Sequence, residues 1–265
     1  MYSPFQLAWR YLRYYITASN GRGHGMHSPF VYELITAVLN DDRFFYRYDL
    51  IEAQRAEMLH NKTLIVLEDF GAGSRLKQRS ERTVSAIAKS SLKPKKYSQL
   101  LFRLVNHFGP ENILELGTSL GITSSYLASA RPEARVITME GSAAVAAIAS
   151  KHFNYIGLNN IEQVIGNFDE TLAPILSKLD RLDFIFIDGN HRYEPTMRYF
   201  EQVLEKCHEN TLIIFDDIHW SAEMERAWEQ VKVHTSVTLT IDLFFVGLVF
   251  FRKEQKAKQH FTVRF

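Results

Sequence analysis

Three clusters of residues in this sequence are typed and spaced for chemistry. The first runs Glu115-Leu116-Gly117-Thr118-Ser119-Leu120-Gly121-Ile122-Thr123, a glycine-punctuated turn between an apolar run and a helical pattern. Glycines at 117 and 121 let a backbone turn tightly and come close to a ligand, and a helix opening there presents unbonded amides. Glu140 ends the next β-rich run, 23 residues after Gly117. An acid at that distance, on a strand tip, is placed to accept hydrogen bonds from a ribose diol. The dinucleotide pattern Gly-x-Gly-x-x-Gly is not met, because Ser119 and Ile122 stand at its second and third glycines. Glu115 would also repel a pyrophosphate. A ligand with a ribose and positive charge but no phosphate fits the turn better, and S-adenosylmethionine, with a sulfonium and an ammonium, is such a ligand. The bland alternative is a strand–turn–helix that needs glycine only to turn.

The second cluster is acidic. Asp188 ends the run 182–187, and Asp216-Asp217 ends the run 211–215. In open α/β sheets the carboxyl ends of the strands face the ligand crevice. Three carboxylates converging there would repel one another, and a hard cation such as Mg²⁺ with oxygen ligands would resolve the repulsion. The competing reading has Asp216 or Asp217 capping the next helix and Asp188 contacting the cofactor. The third cluster is Gly189-Asn190-His191, where His191 is a candidate general base near neutral pH. His219 and Trp220 are candidates to line an acceptor pocket. A second Gly-rich stretch, Glu68-Asp69-Phe70-Gly71-Ala72-Gly73-Ser74, lacks a downstream strand ending in an acid, so it reads as a turn or a loop near a site mouth.

The elements that must position these residues alternate along the chain. Short β-rich runs at 113–116, 135–139, 162–165, 182–187 and 212–215 are separated by helix-length segments. That alternation predicts a parallel sheet with helices on both faces. The runs 237–241 and 245–251 are joined by too few residues for a parallel crossover, so they should be antiparallel neighbours. The expected class is therefore α/β, a Rossmann-like doubly wound seven-stranded sheet with an antiparallel last strand. Residues 1–90 read as a mostly helical N-terminal extension or cap, and 91–265 as the main domain. Within the extension, helices are expected at 5–18, at 28–39 after the Ser28-Pro29 cap, at 43–61 and at 81–89. Residues 261–265 form an apolar coda expected to dock on the domain.

Composition narrows the classes. A formal net charge of +1 gives no global pull toward nucleic acid or an anionic membrane, so neither is an expected partner. No apolar run reaches the roughly 18 residues of a membrane span, and nothing near Met1 reads as a signal peptide. One cysteine, Cys207, permits no internal disulfide, which fits a cytoplasmic setting; it reads as an inert small side chain.

Residues 95–252 resemble the class I S-adenosylmethionine-dependent methyltransferases, in the O-methyltransferase branch that includes catechol O-methyltransferase. The stretch from Ile113 to Thr123 is similar to that branch's first motif, and Glu140 with Gly141 to its ribose-binding acid. Gly166-Asn167-Phe168 stands where the family contacts adenine. Ile187-Asp188-Gly189-Asn190-His191-Arg192-Tyr193 and Phe215-Asp216-Asp217 resemble the motifs after the fourth and fifth strands. The resemblance implies methyl transfer to a small-molecule acceptor. It assigns Glu115, Gly117, Thr118, Ser119, Gly121, Glu140, Gly141, Asn167, Phe168 and Asp188 to the cofactor. It assigns Asp188, Asp216 and Asp217 to magnesium, and His191 with Asp188 to catalysis. Asp217 replaces the asparagine of catechol O-methyltransferase, which keeps an oxygen ligand and adds charge. Metal-independent methylation at nitrogen, carbon or protein, and a nicotinamide-dependent oxidoreductase, are the rival functions. A homodimer is a further expectation.

Overall fold

Apolar runs bounded by glycine, proline and small polar residues become strands, and the amphipathic stretches between them become helices. The structure, a computed structural model, describes residues 1–69 and 78–265. Helices α1 (Pro4–Thr17) and α2 (Pro29–Leu34) come first, then a π-helical turn (Ile35–Leu39) and α3 (Arg47–His60). Strands β1 (Leu64–Asp69) and β2 (Gln78–Thr83) precede α4 (Val84–Ser91) and α5 (Lys95–Phe108). Alternation then sets in with β3 (Asn112–Leu116), α6 (Ile122–Ala130), β4 (Arg135–Glu140) and α7 (Ala143–Tyr155). It continues with β5 (Ile161–Ile165), α8 (Phe168–Leu176), β6 (Phe184–Ile187) and α9 (Tyr193–Leu204). The chain closes with β7 (Leu212–Asp216), α10 (Ala222–Val233), β8 (Leu239–Asp242), β9 (Val246–Phe250) and β10 (Gln259–Thr262).

Local chemistry sets many of these boundaries. Ser3 and Gln6 form a capping box at the start of α1, with Pro4 in its first turn. The Ser28 hydroxyl accepts from the Val31 amide to start α2. α5 stops at Gly109, whose φ of 58° is left-handed. Two expectations at the ends of helices shift. The helix expected over 28–39 is α-helical only to Leu34 and then widens to a π turn, where the Asn40 amide reaches back to the Ile35 carbonyl. The helix expected at 81–89 starts at Val84, because residues up to Thr83 pair with β1 instead, Leu64 opposite Thr83. Thr83 then caps α4 through the Ala86 amide.

Packing divides the chain into two units, Asp42–Lys178 and Met1–Asp41 with Leu179–Phe265. In Asp42–Lys178, β3, β4 and β5 run parallel, with Glu115 opposite Thr138 and Val136 opposite Ile161. In the other unit the order is β10-β8-β9-β7-β6. There β6 and β7 are parallel, and β9 runs antiparallel to both β7 and β8, as the short connection requires. Every residue of β6, β7 and β9 is buried, which is the mark of strands covered on both faces. The pattern is the mixed α/β, Rossmann-like one, with a strand beyond the seven expected. That strand is β10, parallel to β8, made from the coda. It is clamped by α1's end: the Ser19 amide donates to the Thr262 carbonyl and the Arg264 amide to the Ser19 carbonyl. Of the second Gly-rich stretch, Glu68 and Asp69 end β1, and residues 70–74 lie outside the described residues. No helix among the described residues is long and apolar enough to cross a membrane.

Candidate functional site

In Asp42–Lys178 the turn after β3 is built largely by backbone. The Gly117 and Thr118 amides both donate to the Met139 carbonyl at 3.0 Å, which ties the turn to β4. Gly117 has a φ of 114° and Gly121 one of 84°, and Ser119 accepts a left-handed φ of 47°. Gly121 is glycine for packing as well as for its turn. A Cβ there would lie 2.6 Å from Phe153 Cε1 and 2.9 Å from Ala149 Cβ, so α7 fills the space. Glu140, at the tip of β4, accepts from the Ser119 amide on Oε2 and from the Ser142 amide on Oε1, both at 2.9 Å. Burial raises its proton affinity, and the backbone amides of Ser142, Ser119 and Gly141 oppose that. A carboxylate has about four lone-pair sites, so with these three amides one remains for a hydroxyl of a ligand.

Glu115 is fully buried beneath this turn. Its Oε2 accepts from the Ser124 hydroxyl and, at 2.6 Å, from Thr138 Oγ1, which in turn lies 2.6 Å from Thr118 Oγ1. Burial pushes its pKa up to about 7 against those two hydrogen bonds. Its Oε1 is buried without a hydrogen-bond partner among the described residues, as is the hydroxyl of Ser142 next to Glu140. Buried polar atoms are ordinarily satisfied, and these two are exceptions beside the turn. Asn167 spends its side-chain oxygen capping α8 through the Asp169 amide. Phe168 opens that helix, and Gly166, at φ 142°, bonds the Glu140 carbonyl. Ser124, Thr138, Ser142 and Ser91, whose hydroxyl lies 3.0 Å from that of Ser119, were not foreseen. Thr138 had a signal, because it shares a face of β4 with Glu140 two residues on. Ser91 had none.

In the unit of Met1–Asp41 and Leu179–Phe265, Asp188 follows β6 and its Oδ1 lies 3.6 Å from His191 Nε2. Asn190 between them is left-handed at φ 56°. Asp216 closes β7 with 3% exposure, and Asp217 turns away in a left-handed conformation, φ 53°, its amide bonded to the Phe245 carbonyl. Among the described residues no three His, Cys, Asp and Glu side chains are grouped to hold a metal. The expected gathering of Asp188, Asp216 and Asp217 around magnesium is therefore not formed in this structure.

His219 and Trp220 border a shallow surface depression with Leu7, Asp217, Phe244 and Phe245. His219 is stacked on Phe244 at 5.1 Å and bridges two carboxylates, Asp242 Oδ2 at 2.8 Å and Glu225 Oε1 at 3.1 Å. Burial alone would lower its pKa, but the bonds to Asp242 and Glu225 carry it above the ordinary value. Cys207 is no nucleophile: burial pushes its thiol up to about 12.

A family described as a methyltransferase domain matches residues 114–218. A catechol O-methyltransferase of Niastella koreensis is 33% identical over 126 residues, 46% of this chain and 55% of that protein. The catechol O-methyltransferase of Bos taurus is 30% identical over 131 residues, 46% of this chain and 47% of that protein. The chain thus spans about half the length of these curated relatives. Among solved structures, an O-methyltransferase from Bacillus cereus in complex with S-adenosylhomocysteine superposes with a TM-score of 0.57 at 21% identity, over 80% of this chain and 93% of that one. Residues 114–218 match a methyltransferase domain family, the fold is of the Rossmann-like class I type, and the chain is similar to catechol O-methyltransferases.

Proposed function

We propose that this chain is an S-adenosylmethionine-dependent methyltransferase acting on an oxygen of a small-molecule acceptor. The observation that carries the reading is Glu140, a strand-tip carboxylate held by the Ser119, Gly141 and Ser142 amides with acceptor capacity to spare. Glu140 receives the ribose diol. The turn at Gly117, Thr118, Ser119 and Gly121 lies against the amino-acid portion, with Glu115 Oε1 as acceptor for its ammonium. Gly141, Asn167 and Phe168 border the adenine. When bound, the cofactor supplies an electrophilic methyl group on a sulfonium. His191 takes the acceptor hydroxyl's proton as the new carbon–oxygen bond forms and the carbon–sulfur bond breaks. Asp188, 3.6 Å away, orients His191 and stabilises its charged form. The apolar part of the acceptor lies against Trp220 and Phe244, and the enzyme works in the cytoplasm.

Titration calorimetry with S-adenosylhomocysteine tests the core: binding is expected, and its absence would sink the reading. Glu140→Gln, which keeps one acceptor oxygen, should weaken that binding about 10- to 100-fold. A chelator should leave the affinity unchanged. Turnover that falls on chelation and returns with Mg²⁺ would reinstate Asp188, Asp216 and Asp217 as ligands.

A further inference from the structure

Helix α1 is apolar on two opposite faces, and only one is covered. Its inner face docks within its own unit. Tyr14 is 6% exposed and its hydroxyl donates to the Val263 carbonyl, while its ring packs 5.2 Å from that of Phe244. Arg10 pairs with Glu225 at 2.5 Å, and Tyr2 donates to the same carboxylate at 2.8 Å. The outer face carries Phe5, Trp9, Leu12 and Ile16, spaced four, three and four residues apart and therefore in one stripe. Their exposures are 82%, 64%, 47% and 66%. Exposed apolar residues scattered singly need no explanation, but a contiguous helical stripe headed by Trp and Phe marks an interaction surface.

Charge says what it meets. Residues 1–32 contain no Asp or Glu, although the chain has 30 acids, and they carry Arg10, Arg13 and Arg22. Arg13 is exposed beside the stripe. Arg264 lies over the Tyr15 ring at 4.8 Å, which adds a cation at the helix's C-terminal end. A second copy of this helix would bring more arginine and no acid to meet it. An anionic lipid surface supplies both things the face lacks, an apolar layer for Phe5, Trp9, Leu12 and Ile16 and phosphates for the arginines. Trp and Phe at the acyl boundary with arginine in the headgroups is the arrangement of a helix lying in a membrane interface. We propose that the outer face of α1 seats this protein on an anionic membrane surface, without spanning it. This departs from the expectation drawn from the net charge, because a whole-chain sum of +1 hides an acid-free basic segment.

The test is co-sedimentation of the full chain with phosphatidylcholine vesicles, with and without phosphatidylglycerol. Binding is expected only to the anionic vesicles, falling as salt rises. Emission should shift to the blue on binding in the unaltered chain and not in Trp9→Phe, which still binds. Phe5→Ser with Leu12→Ser should lower the bound fraction about ten-fold, with unchanged circular dichroism and unchanged S-adenosylhomocysteine affinity. Absence of vesicle binding would overturn the proposal, and so would equal binding to neutral vesicles. Concentration-dependent dimers abolished by the same double variant, without vesicle binding, would assign the face to a second copy instead.

Discussion

Around the Gly117 turn, the Glu140 carboxylate is held by backbone amides. Around Asp188, Asp216 and Asp217, the polar groups depend on where side chains and short loops come to rest. Glu140 is oriented by two amides of neighbouring segments, and Glu115 by two hydroxyls on adjoining elements of one unit. The aspartates of the other unit sit at strand ends where Asn190, Asp217 and Phe244 all take left-handed backbone. Backbone-built sites are prefigured by spacing, because a strand, a turn and a helix come in a fixed order. Sites that depend on where the side chains of separate loops come to rest are not.

The sharpest way to break this contrast is to disturb one backbone in each region. Gly121→Val meets Phe153 Cε1 at 2.6 Å with its Cβ alone and puts a branched side chain at φ 84°. Its cost is expected to be on the order of 3 kcal/mol in urea unfolding, with S-adenosylhomocysteine binding lost. Asn190→Gly, which relieves a left-handed residue at φ 56°, should stay within about 1 kcal/mol. Equal costs at the two positions would erase the distinction.

The second effect concerns Glu115. Its folded pKa is raised from 4.5 to about 7 by burial. The folded state therefore binds the proton more tightly than the unfolded chain. The resulting stability is full below 4.5 and is lost as pH rises to about 7. The loss is on the order of 3 kcal/mol at most. Unfolding midpoints measured across that window should fall in the unaltered chain and be flatter in Glu115→Gln. A parallel slope in the variant would show that Glu115 does not carry the effect.

The alternation of strands and helices, and the antiparallel pair at the end, were legible because each rests on periodicity and connection length. Glu140 was legible because a strand tip has a position in sequence. The partners of Glu115 were not: Ser124 comes from the first turn of α6 and Thr138 from a register that only the paired strands define. β10 was hidden because its partner, β8, is some 20 residues earlier and its pattern is half polar. The start of α4 was misjudged because the sequence from Glu81 to Thr83 has no signal strong enough to outweigh pairing with β1. The metal expectation relied on strand ends converging, and the described residues show no group of three ligating side chains there.

The smallest expected effect sets one histidine in each unit against the other. His152 in α7 touches Gln54 Oε1 at 2.8 Å, and burial lowers its pKa, with Glu57 opposing. Its contribution to stability is present above 6.5 and is lost as pH falls through the lower folded value. His219 has the opposite sign. Its bonds to Asp242 and Glu225 overcome burial and raise its pKa, so its contribution is full below 6.5 and is lost as pH climbs through the higher folded value. With 21% of its side chain exposed, solvent screens part of that gain, which keeps it below the effect of Glu115. His152→Gln should flatten the acid side of the stability profile, and His219→Gln the alkaline side. Arg10→Gln sharpens the comparison further. Arg10 shares Glu225 with His219, so removing it leaves that carboxylate more dependent on a protonated imidazole. The alkaline loss should then move to higher pH and should vanish when His219→Gln is added. If Arg10→Gln leaves the alkaline limb where it was, the Glu225 carboxylate does not couple the two cations, and the charge network beneath α1 is no more than a set of separate contacts.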